Sequence, residues 1–342
     1  MGAEAQIHPE AMEMIGTGVS VIICTYNGNS RLGETLRHLA AQRLKCAAEI
    51  VLVDNASEDG TREFAEHWWK EHGKPVMELR TFYQPIPGKS FAQEMGYAEA
   101  SYEYFLICDD DNWLASDYIQ TAFEIMEANP EIGALGGRCS AAFETEEPEW
   151  WDQYAGYYAV AAQGDRSGDI TGDKGCLYGA GMVIRRSDWE NLGQLGFSPE
   201  LTCRKGNTLS SGGDTEYSYC LRLLGKKIWY DDRLHFVHYM TTGRLNLNYL
   251  SRLRKALSDS NFILSAYLDE LNQIHPTKAD FREKVKTAVR SRSFKSRLKH
   301  RVFGDYEQKE QAKAYFRRLW NLWNGYPRYA QVRESIANWK PR

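Results

Sequence analysis

The sequence predicts an α/β protein with a doubly wound sheet over residues 1–245 and an all-helical region at 246–342. Up to about residue 110, apolar strand-type runs alternate with segments of helical spacing, which favours parallel pairing of the strands. Beyond residue 246 the pattern changes. The stretch "LNYLSRLRKALSDSNFILSAYLDEL" places apolar residues three and four positions apart, as an amphipathic helix does.

The elements follow in order along the chain. Apolar, often β-branched runs predict strands at 19–27, 49–57, 77–84 and 102–108. Apolar spacing and terminal glycines predict helices at 30–42, 59–73 and 89–101. Loops and a short hairpin are expected at 140–180, which is rich in Gly, Asp and aromatic residues and would form one wall of a cleft. A strand and a helix follow at 176–193, and a further helix begins near 212 and ends at Gly225.

Composition excludes several classes of function. With 42 Lys+Arg against 46 Asp+Glu the net charge is −4, so no overall positive field indicates nucleic acid as a partner. Seven cysteines without a CxxC pair support neither a disulfide framework nor a zinc knuckle, and favour a reducing cytosol. No apolar run is long enough to span a bilayer, and the first residues lack a signal-peptide pattern, so a soluble or peripheral protein is expected.

The segment "FLICDDDNWLAS" at 105–116 places Asp109, Asp110 and Asp111 directly after a predicted strand. Ligands of doubly wound sheets bind beyond the carboxyl ends of the strands. Three adjacent carboxylates raise one another's pKa, and a divalent cation carrying phosphates would offset their repulsion. The alternative is a solvated acidic turn that caps the next helix.

Five blocks in order resemble family 2 glycosyltransferases: "VSVIICTYN", "EIVLVDNASEDGT", "FLICDDDNWLASDYI", "GAGMVIRRSDWENLG" and "GGDTEYSYCLRLLGKKIWY". The resemblance covers about the first 240 residues. It implies the GT-A fold, a Rossmann-like doubly wound mixed sheet, and inverting transfer from a nucleotide-sugar donor.

The resemblance also implies a nucleotide site. Thr25 and Tyr26 match positions that cradle the base, with the Tyr26 ring stacked on it, and Asp54 matches the aspartate that accepts a hydrogen bond from the base. Lys89 lies where the family often has a basic residue near the nucleotide. The structural alternatives are a tyrosine that finishes a core strand, an aspartate that caps a turn, and an exposed lysine.

Asp109–Asp111 corresponds to the DxD motif of the family. The resemblance implies that Asp111 contacts Mn²⁺ or Mg²⁺, while Asp109 and Asp110 face the ribose, a ligated water or the donor sugar. The metal would neutralise the leaving diphosphate as a Lewis acid.

An inverting transfer needs a general base for the acceptor hydroxyl. Asp214 in "SSGGDTEYS" matches the aspartate of the "ED" element that has this role in the family. Gly213 stands where the family usually has Glu, which makes Glu216 the reserve candidate. The alternative for both acids is a favourable interaction with the helix dipole.

The segment "RLHFVHYMTTGR" resembles the part of the family where a histidine binds the metal and an arginine meets phosphate. His238 is preferred over His235 as the third metal ligand after Asp109 and Asp111. Arg244 and Arg204 are candidates for donor or acceptor phosphate. A core or surface histidine and ordinary surface ion pairs are the alternatives.

The C-terminal stretch 282–303 is basic and amphipathic. Nine Lys/Arg and one acidic residue lie between Arg282 and Arg301, interspersed with Val, Leu and Phe. This composition suits a helix on an anionic membrane surface, and a solvated helix paired with the protein's own acids is the alternative.

Together these features predict a metal-dependent inverting glycosyltransferase that uses a UDP-sugar and a glycan or polyprenyl-linked glycan acceptor. We expect it in the cytoplasm, peripheral on the inner face of the cell membrane, with no nucleic-acid partner. The rival hypotheses are a sugar nucleotidyltransferase and an inactive sugar-binding or scaffold subunit. The first would need a basic Gly-rich loop after strand one, which "CTYNGNSRLGE" lacks.

Overall fold

A computed structural model of the protein describes residues 16–201 and 211–341. The strands are β1 (Gly16–Thr25), β2 (Ala47–Asp54), β3 (Met77–Tyr83), β4 (Tyr102–Asp109), β5 (Asn112–Leu114), β6 (Ile132–Phe143), β7 (Gly168–Asp169), β8 (Val183–Arg185) and β9 (Lys227–Met240). The helices of the sheet region are α1 (Asn29–Ala40), α2 (Thr61–His72), α3 (Lys89–Glu99), α4 (Tyr118–Ala128), α5 (Trp151–Tyr154), α6 (Arg186–Gln194) and α7 (Gly213–Leu223). The C-terminal helices are α8 (Leu247–Leu271), α9 (Lys278–Arg290), α10 (Arg292–Phe303), α11 (Tyr306–Asn324) and α12 (Tyr326–Trp339).

The nine strands found in the described residues form one mixed sheet, in the order β3-β2-β1-β4-β8-β6-β9-β5 with β7 paired to β9. The first four strands are parallel, as the alternating pattern predicted. The short strand β8 runs antiparallel to both β4 and β6, and β6 and β9 are parallel. The predicted α/β fold class with a helical C-terminal region is therefore confirmed.

The register aligns the carboxyl ends of the first four strands. Thr25 pairs with Asp54, Asp54 pairs with Tyr83, and Asp109 pairs with Cys24, one residue before Thr25. Because parallel strands present their ends at one edge, the polar residues that follow them gather in one place.

The sheet is covered on both faces. On one face, α1, α2 and α4 pack on the residues of β1 and β2 that include Val21 and Ile50. On the other, α3, α6 and α7 pack on the alternate residues, such as Ile22 and Val51. Strands buried on both faces contain nearly continuous apolar runs, which explains why these strands could be predicted.

The region around 140–180 differs from the sequence expectation. The 12-residue strand β6 was not predicted, and β7 pairs with β9 instead of forming a local hairpin. At Gly137 an added Cβ would lie 1.7 Å from the carbonyl oxygen of Leu234, so the close approach of β6 and β9 requires glycine there. Strand β9 also continues well past Tyr230, and both His235 and His238 lie within it.

The C-terminal helices pack on the sheet region through a third apolar cluster. Leu264 and Tyr267 of α8 and Ile336 of α12 contact Leu192 of α6 and Tyr219 of α7. Among the described residues, none of the helices combines the length and apolar character needed to cross a bilayer.

Candidate active site

Each acid of the triplet contacts a basic side chain. Lys89, the first residue of α3, forms an ion pair with Asp109. Arg31 of α1 binds Asp110 through two hydrogen bonds of 2.8 and 2.7 Å. Arg244 Nη2 lies 2.9 Å from Asp111 Oδ2. The repulsion among the three carboxylates is therefore offset within the chain itself.

Asp110 joins the triplet to the β1–α1 loop. Its Oδ2 also accepts a 2.6 Å hydrogen bond from the Thr25 hydroxyl. Burial and the neighbouring Asp111 raise the pKa of Asp110, and the bonds from Arg31 and Thr25 oppose that rise. An added Cβ at Gly28 would lie 2.1 Å from Thr25 Oγ1 and 2.7 Å from Asp110 Oδ2, so only glycine fits beside this pair.

These contacts alter the expected roles of two residues. Thr25 was expected to cradle the base, but its side chain is 2% exposed and its hydroxyl is bonded to Asp110. Asp110 was expected to face the ribose or donor sugar, but both of its oxygens bind Arg31. In this geometry the side chains of Thr25 and Asp110 bond to each other and hold the β1–α1 loop against the end of β4.

Asp111 contacts the last strand of the sheet. Its Oδ1 lies 3.3 Å from His238 Nε2, and Arg244 Nη1 is 3.1 Å from the same nitrogen. His235 instead contacts Ser140 through its Nε2 at 3.0 Å. The structure thus brings His238, and not His235, to the triplet.

The side chains of the edge limit how a divalent cation could bind. Within residues 16–201 and 211–341, no cluster of three or more His, Cys, Asp or Glu side chains could hold a metal, so the expected trio of Asp109, Asp111 and His238 does not meet in this structure. Arg244 contacts both Asp111 and His238. The Asp111–His238 pair does fit, because neighbouring ligands of an octahedral ion at about 2.1 Å are roughly 3 Å apart. A carboxylate with an imidazole favours Mn²⁺ over the harder Mg²⁺.

The residues expected to contact a nucleotide lie at the ends of β1 and β2. Tyr26 is 56% exposed, so its ring is open to stacking. Asp54 is buried, and its Oδ1 accepts a hydrogen bond of 3.0 Å from the Ser57 backbone N–H. Asn55 accepts a bond from the Gly88 N–H at 2.7 Å and donates to the Ile86 carbonyl at 2.8 Å. Asn55 therefore holds the loop that leads to Lys89.

Asp214 lies in the first turn of α7. Its Oδ2 accepts a 2.7 Å bond from the Gly179 N–H, and Oδ1 accepts a 2.9 Å bond from the Thr215 N–H. Two residues beyond Gly179, the Gly181 N–H donates to the Ile107 carbonyl of β4. Asp214 is thereby fixed against the segment that runs beside the end of β4. In the described part of the chain it forms no ion pair, unlike the triplet.

Glu216 has a different environment although it is only two residues away. It is 1% exposed and accepts hydrogen bonds from the backbone N–H groups of Glu200 and Leu201 and from Tyr267 of α8. Burial raises the pKa of Glu216 to about 7, against these opposing bonds. The hydrogen bond with Tyr267 joins α7 to α8. Because Glu216 is buried and its oxygens are occupied by these bonds, the geometry does not favour it as the reserve base.

Arg204, the other residue expected to contact phosphate, lies outside the described residues. Sequence reasoning missed Arg31, Asn55 and Gly179, which hold Asp110, the Lys89 loop and Asp214. Their partners are far apart in sequence, 79 residues for Arg31 and Asp110, and no local pattern marks them.

Comparison with known proteins decides the family. The family model described as glycosyl transferase family 2 matches residues 20–193, just over half of the chain. The chain belongs to this family. The matched segment contains the ends of β1, β2 and β4, and it ends before Asp214, His238 and Arg244.

Individual family members resemble parts of the chain. A cholesterol galactosyltransferase of Borreliella burgdorferi is 31% identical over 111 residues, 32% of this chain and 30% of that protein. A glucosyl-dolichyl phosphate glucuronosyltransferase of Haloferax volcanii is 22% identical over 68% of this chain and 72% of its own length. The chain thus matches less than a third of the first relative.

The fold of the family is also found among solved structures. A mannosyltransferase from Pyrobaculum calidifontis, in complex with GDP-Man and Mn²⁺, superposes with a TM-score of 0.55 at 17% identity, over 95% of this chain and 86% of that one. The fold of this family 2 chain is GT-A.

Proposed function

We propose that the protein is an inverting glycosyltransferase that moves a sugar from a nucleotide sugar to a hydroxyl group of a glycan. The observation that carries the proposal is at one sheet edge. An acidic triplet balanced by three basic side chains lies there. Asp214, a carboxylate that forms no ion pair within the described residues, is bonded to Gly179, in the segment whose Gly181 N–H donates to Ile107 of β4. Membership of the chain in glycosyl transferase family 2 supports it.

The donor would bind across the strand ends. Tyr26 offers an exposed ring to the base, and Asp54 offers a carboxylate to a base N–H, which favours uracil. Lys89 and Arg244 lie where a diphosphate would meet the triplet, and charge-assisted bonds from both would bind it. Arg204 remains a further candidate for phosphate. A UDP-sugar is therefore the proposed donor.

A divalent ion would be held by Asp111 and His238, whose spacing and chemistry suit Mn²⁺. When bound, it supplies positive charge to the leaving diphosphate. The presence of Mn²⁺ in the complex of the Pyrobaculum mannosyltransferase supports the choice of this metal here. Asp109 and Lys89 would border the donor sugar and the phosphates, respectively.

Asp214 would act as the general base. The acceptor oxygen forms a bond to the anomeric carbon, its proton passes to an Asp214 oxygen, and the bond from the anomeric carbon to the diphosphate oxygen breaks. The bonding electron pair leaves with the nucleoside diphosphate. The bonds from Gly179 and Thr215 fix the carboxylate but leave lone pairs free on both oxygens.

The proposed acceptor is a lipid-linked or surface glycan. The Haloferax relative is named for transfer to glucosyl-dolichyl phosphate, which supports an acceptor on a polyprenyl-type carrier. Such an acceptor is consistent with a cytoplasmic enzyme that is peripheral at the inner face of the membrane.

Incubation with a panel of nucleotide sugars and Mn²⁺ tests the proposal. We expect slow hydrolysis of one UDP-sugar with release of UDP, measured by chromatography, and faster release once the acceptor is supplied. Formation of pyrophosphate from a nucleoside triphosphate and a sugar phosphate would instead indicate a nucleotidyltransferase. Absence of any turnover across the panel, with the protein folded, would contradict the proposed activity.

A further inference from the structure

An apolar groove lies between helices α9, α10 and α11, away from the sheet edge. Its volume is about 560 Å³. The lining is mostly apolar, from Val285 and Val289 of α9 to Phe294 of α10 and Phe316 of α11. Lys313, Arg317 and Arg301 also line it. Lys313 is paired with Glu310 and Arg317 with Asp259, whereas Arg301 lies over the ring of Phe316.

Large apolar side chains are exposed around this groove. Trp320 and Trp323 line it and are 68% and 52% exposed. On α10, Leu298 and Val302 continue the helical stripe of Phe294 and are 50% and 59% exposed. Isolated exposed apolar residues are ordinary, whereas a contiguous group marks an interaction surface. We call this surface, formed by α9, α10 and the Trp320–Trp323 part of α11, the basic aromatic face.

The basic side chains of residues 282–301 have few internal partners. The segment carries nine Lys/Arg and one acidic residue. Within the described residues, these side chains form one ion pair, between Lys286 and Glu283 at 3.7 Å. Arg301 and Arg282 lie over the rings of Phe316 and Trp323. Internal pairing therefore does not account for the charge of this segment, and most of it is available to anions from outside the chain.

The combination of groups selects the kind of partner. Tryptophan is enriched where a bilayer's headgroups meet its acyl chains, and Lys/Arg attract anionic headgroups. A nucleic acid would use the cations but leave Val302, Leu298 and the groove without a matching surface, and the rest of the chain is acidic. Charge complementarity and apolar exposure on the same face therefore fit an anionic lipid surface.

We propose that the basic aromatic face docks the protein on an anionic bilayer. Trp320, Trp323 and Val302 enter the boundary between headgroups and acyl chains, while Lys295, Lys299 and Arg292 contact lipid phosphates. This inference extends the sequence expectation for 282–303 by adding α11 and the groove, and it does not depend on the proposed glycosyl transfer.

Vesicle binding by the full-length chain tests the proposal. The probes are vesicles of pure phosphatidylcholine and vesicles of phosphatidylcholine with about one third phosphatidylglycerol. Binding of the protein is measured by co-sedimentation at low and at physiological salt. We expect at least about tenfold tighter binding to the anionic vesicles, weakened by salt. Equal binding to both kinds of vesicle would overturn the proposal. Absence of binding at low salt would also overturn it and would favour a protein partner for this face.

Two variants separate the charges from the rings. The triple variant R292E/K295E/K299E should lose at least about tenfold in affinity for anionic vesicles. Its control, R43E/K70E/R166E, changes three exposed basic residues elsewhere by the same charge and should bind like wild type. W320S/W323S should keep the salt dependence but lose quenching of tryptophan fluorescence by lipids brominated in the acyl chain. If wild type and W320S/W323S are quenched equally, or if the two charge variants bind alike, the face is not the docking surface.

Discussion

The sheet edge and the basic aromatic face both hold several like charges close together, but they differ in how many of those charges are paired within the chain. At the edge, Asp109, Asp110 and Asp111 each contact a cation of the same chain. On the face, nine basic residues between 282 and 301 form a single described ion pair. The edge is electrically balanced before any ligand binds, and the face is not.

The difference indicates how each region would meet its partner. At the edge, a donor diphosphate must compete with carboxylates for Lys89 and Arg244, so binding exchanges one set of ion pairs for another. At the face, nothing has to be displaced, and an anionic surface adds contacts directly. We therefore expect selectivity at the edge and salt-sensitive adhesion at the face.

Asp214→Asn should have the largest effect, because Asp214 is the proposed general base and forms no ion pair within the described residues. The amide oxygen can still accept the Gly179 N–H bond, but the NH2 group cannot accept the Thr215 N–H bond and the amide cannot take the acceptor proton. We expect kcat to fall by about 10²–10⁴ with donor KM unchanged, and the lost Thr215 bond to cost about 1 kcal/mol of stability. Asp117→Asn, the same change at an exposed position, is the control. Turnover within a few-fold of wild type would reject Asp214 as the base.

Arg31→Met tests whether the balance at the edge is structural. The Arg31 and Asp110 side chains are 22% and 8% exposed, so the variant leaves a nearly buried carboxylate without its cation. We expect a loss of about 3 kcal/mol in the free energy of unfolding, measured by urea denaturation.

The double variant R31M/D110N serves as the control for this experiment, because it removes both charges. It should recover part of the loss. If R31M is as stable as wild type, the pair does not hold the edge together.

Arg254→Met should give the smallest effect. It tests how α11 of the C-terminal region is attached to α8 and to α5 of the sheet region. Glu307 of α11 accepts bonds from Arg254 and Tyr154. Burial opposes ionisation, but bonds from Arg254, Tyr154 and Gln311 lower the pKa of Glu307 from 4.5 to about 2. A lowered pKa stabilises the fold above pH 4.5, and this contribution is lost as the pH falls towards 2.

We therefore expect the wild type to exceed R254M in free energy of unfolding by about 1–2 kcal/mol at pH 6, with the gap narrowing at pH 3. Arg37→Met, which removes an exposed pair with Glu34, should cost much less at pH 6. A gap that stays constant or widens on acidification would contradict the role of Glu307.

The sequence predicted β1, β2 and β4 because their apolar runs are buried on both faces of the sheet. It also predicted the edge strand β3, although most residues of that strand are only partly buried. It missed β6, since "IGALGGRCSAAF" contains three glycines and three alanines, residues of low strand propensity, and the need for Gly137 arises only from the approach of β9. It placed His238 beside Asp111 through the family resemblance. Only the family resemblance ranked Asp214 above Glu216, because their environments depend on Gly179 and Tyr267, which lie 35 and 51 residues away.

A nucleoside diphosphate should bind at the edge formed by Asp109–Asp111. Calorimetric titration of UDP with Mn²⁺ into wild type, Asp111→Asn and Asp117→Asn tests this most directly, with melting temperatures measured alongside to establish that each variant is folded. We expect binding to wild type and to D117N. Binding to folded D111N should be at least about tenfold weaker, because the variant lacks the carboxylate that would hold Mn²⁺. Equal affinity of all three proteins, or no binding of UDP to wild type, would contradict it.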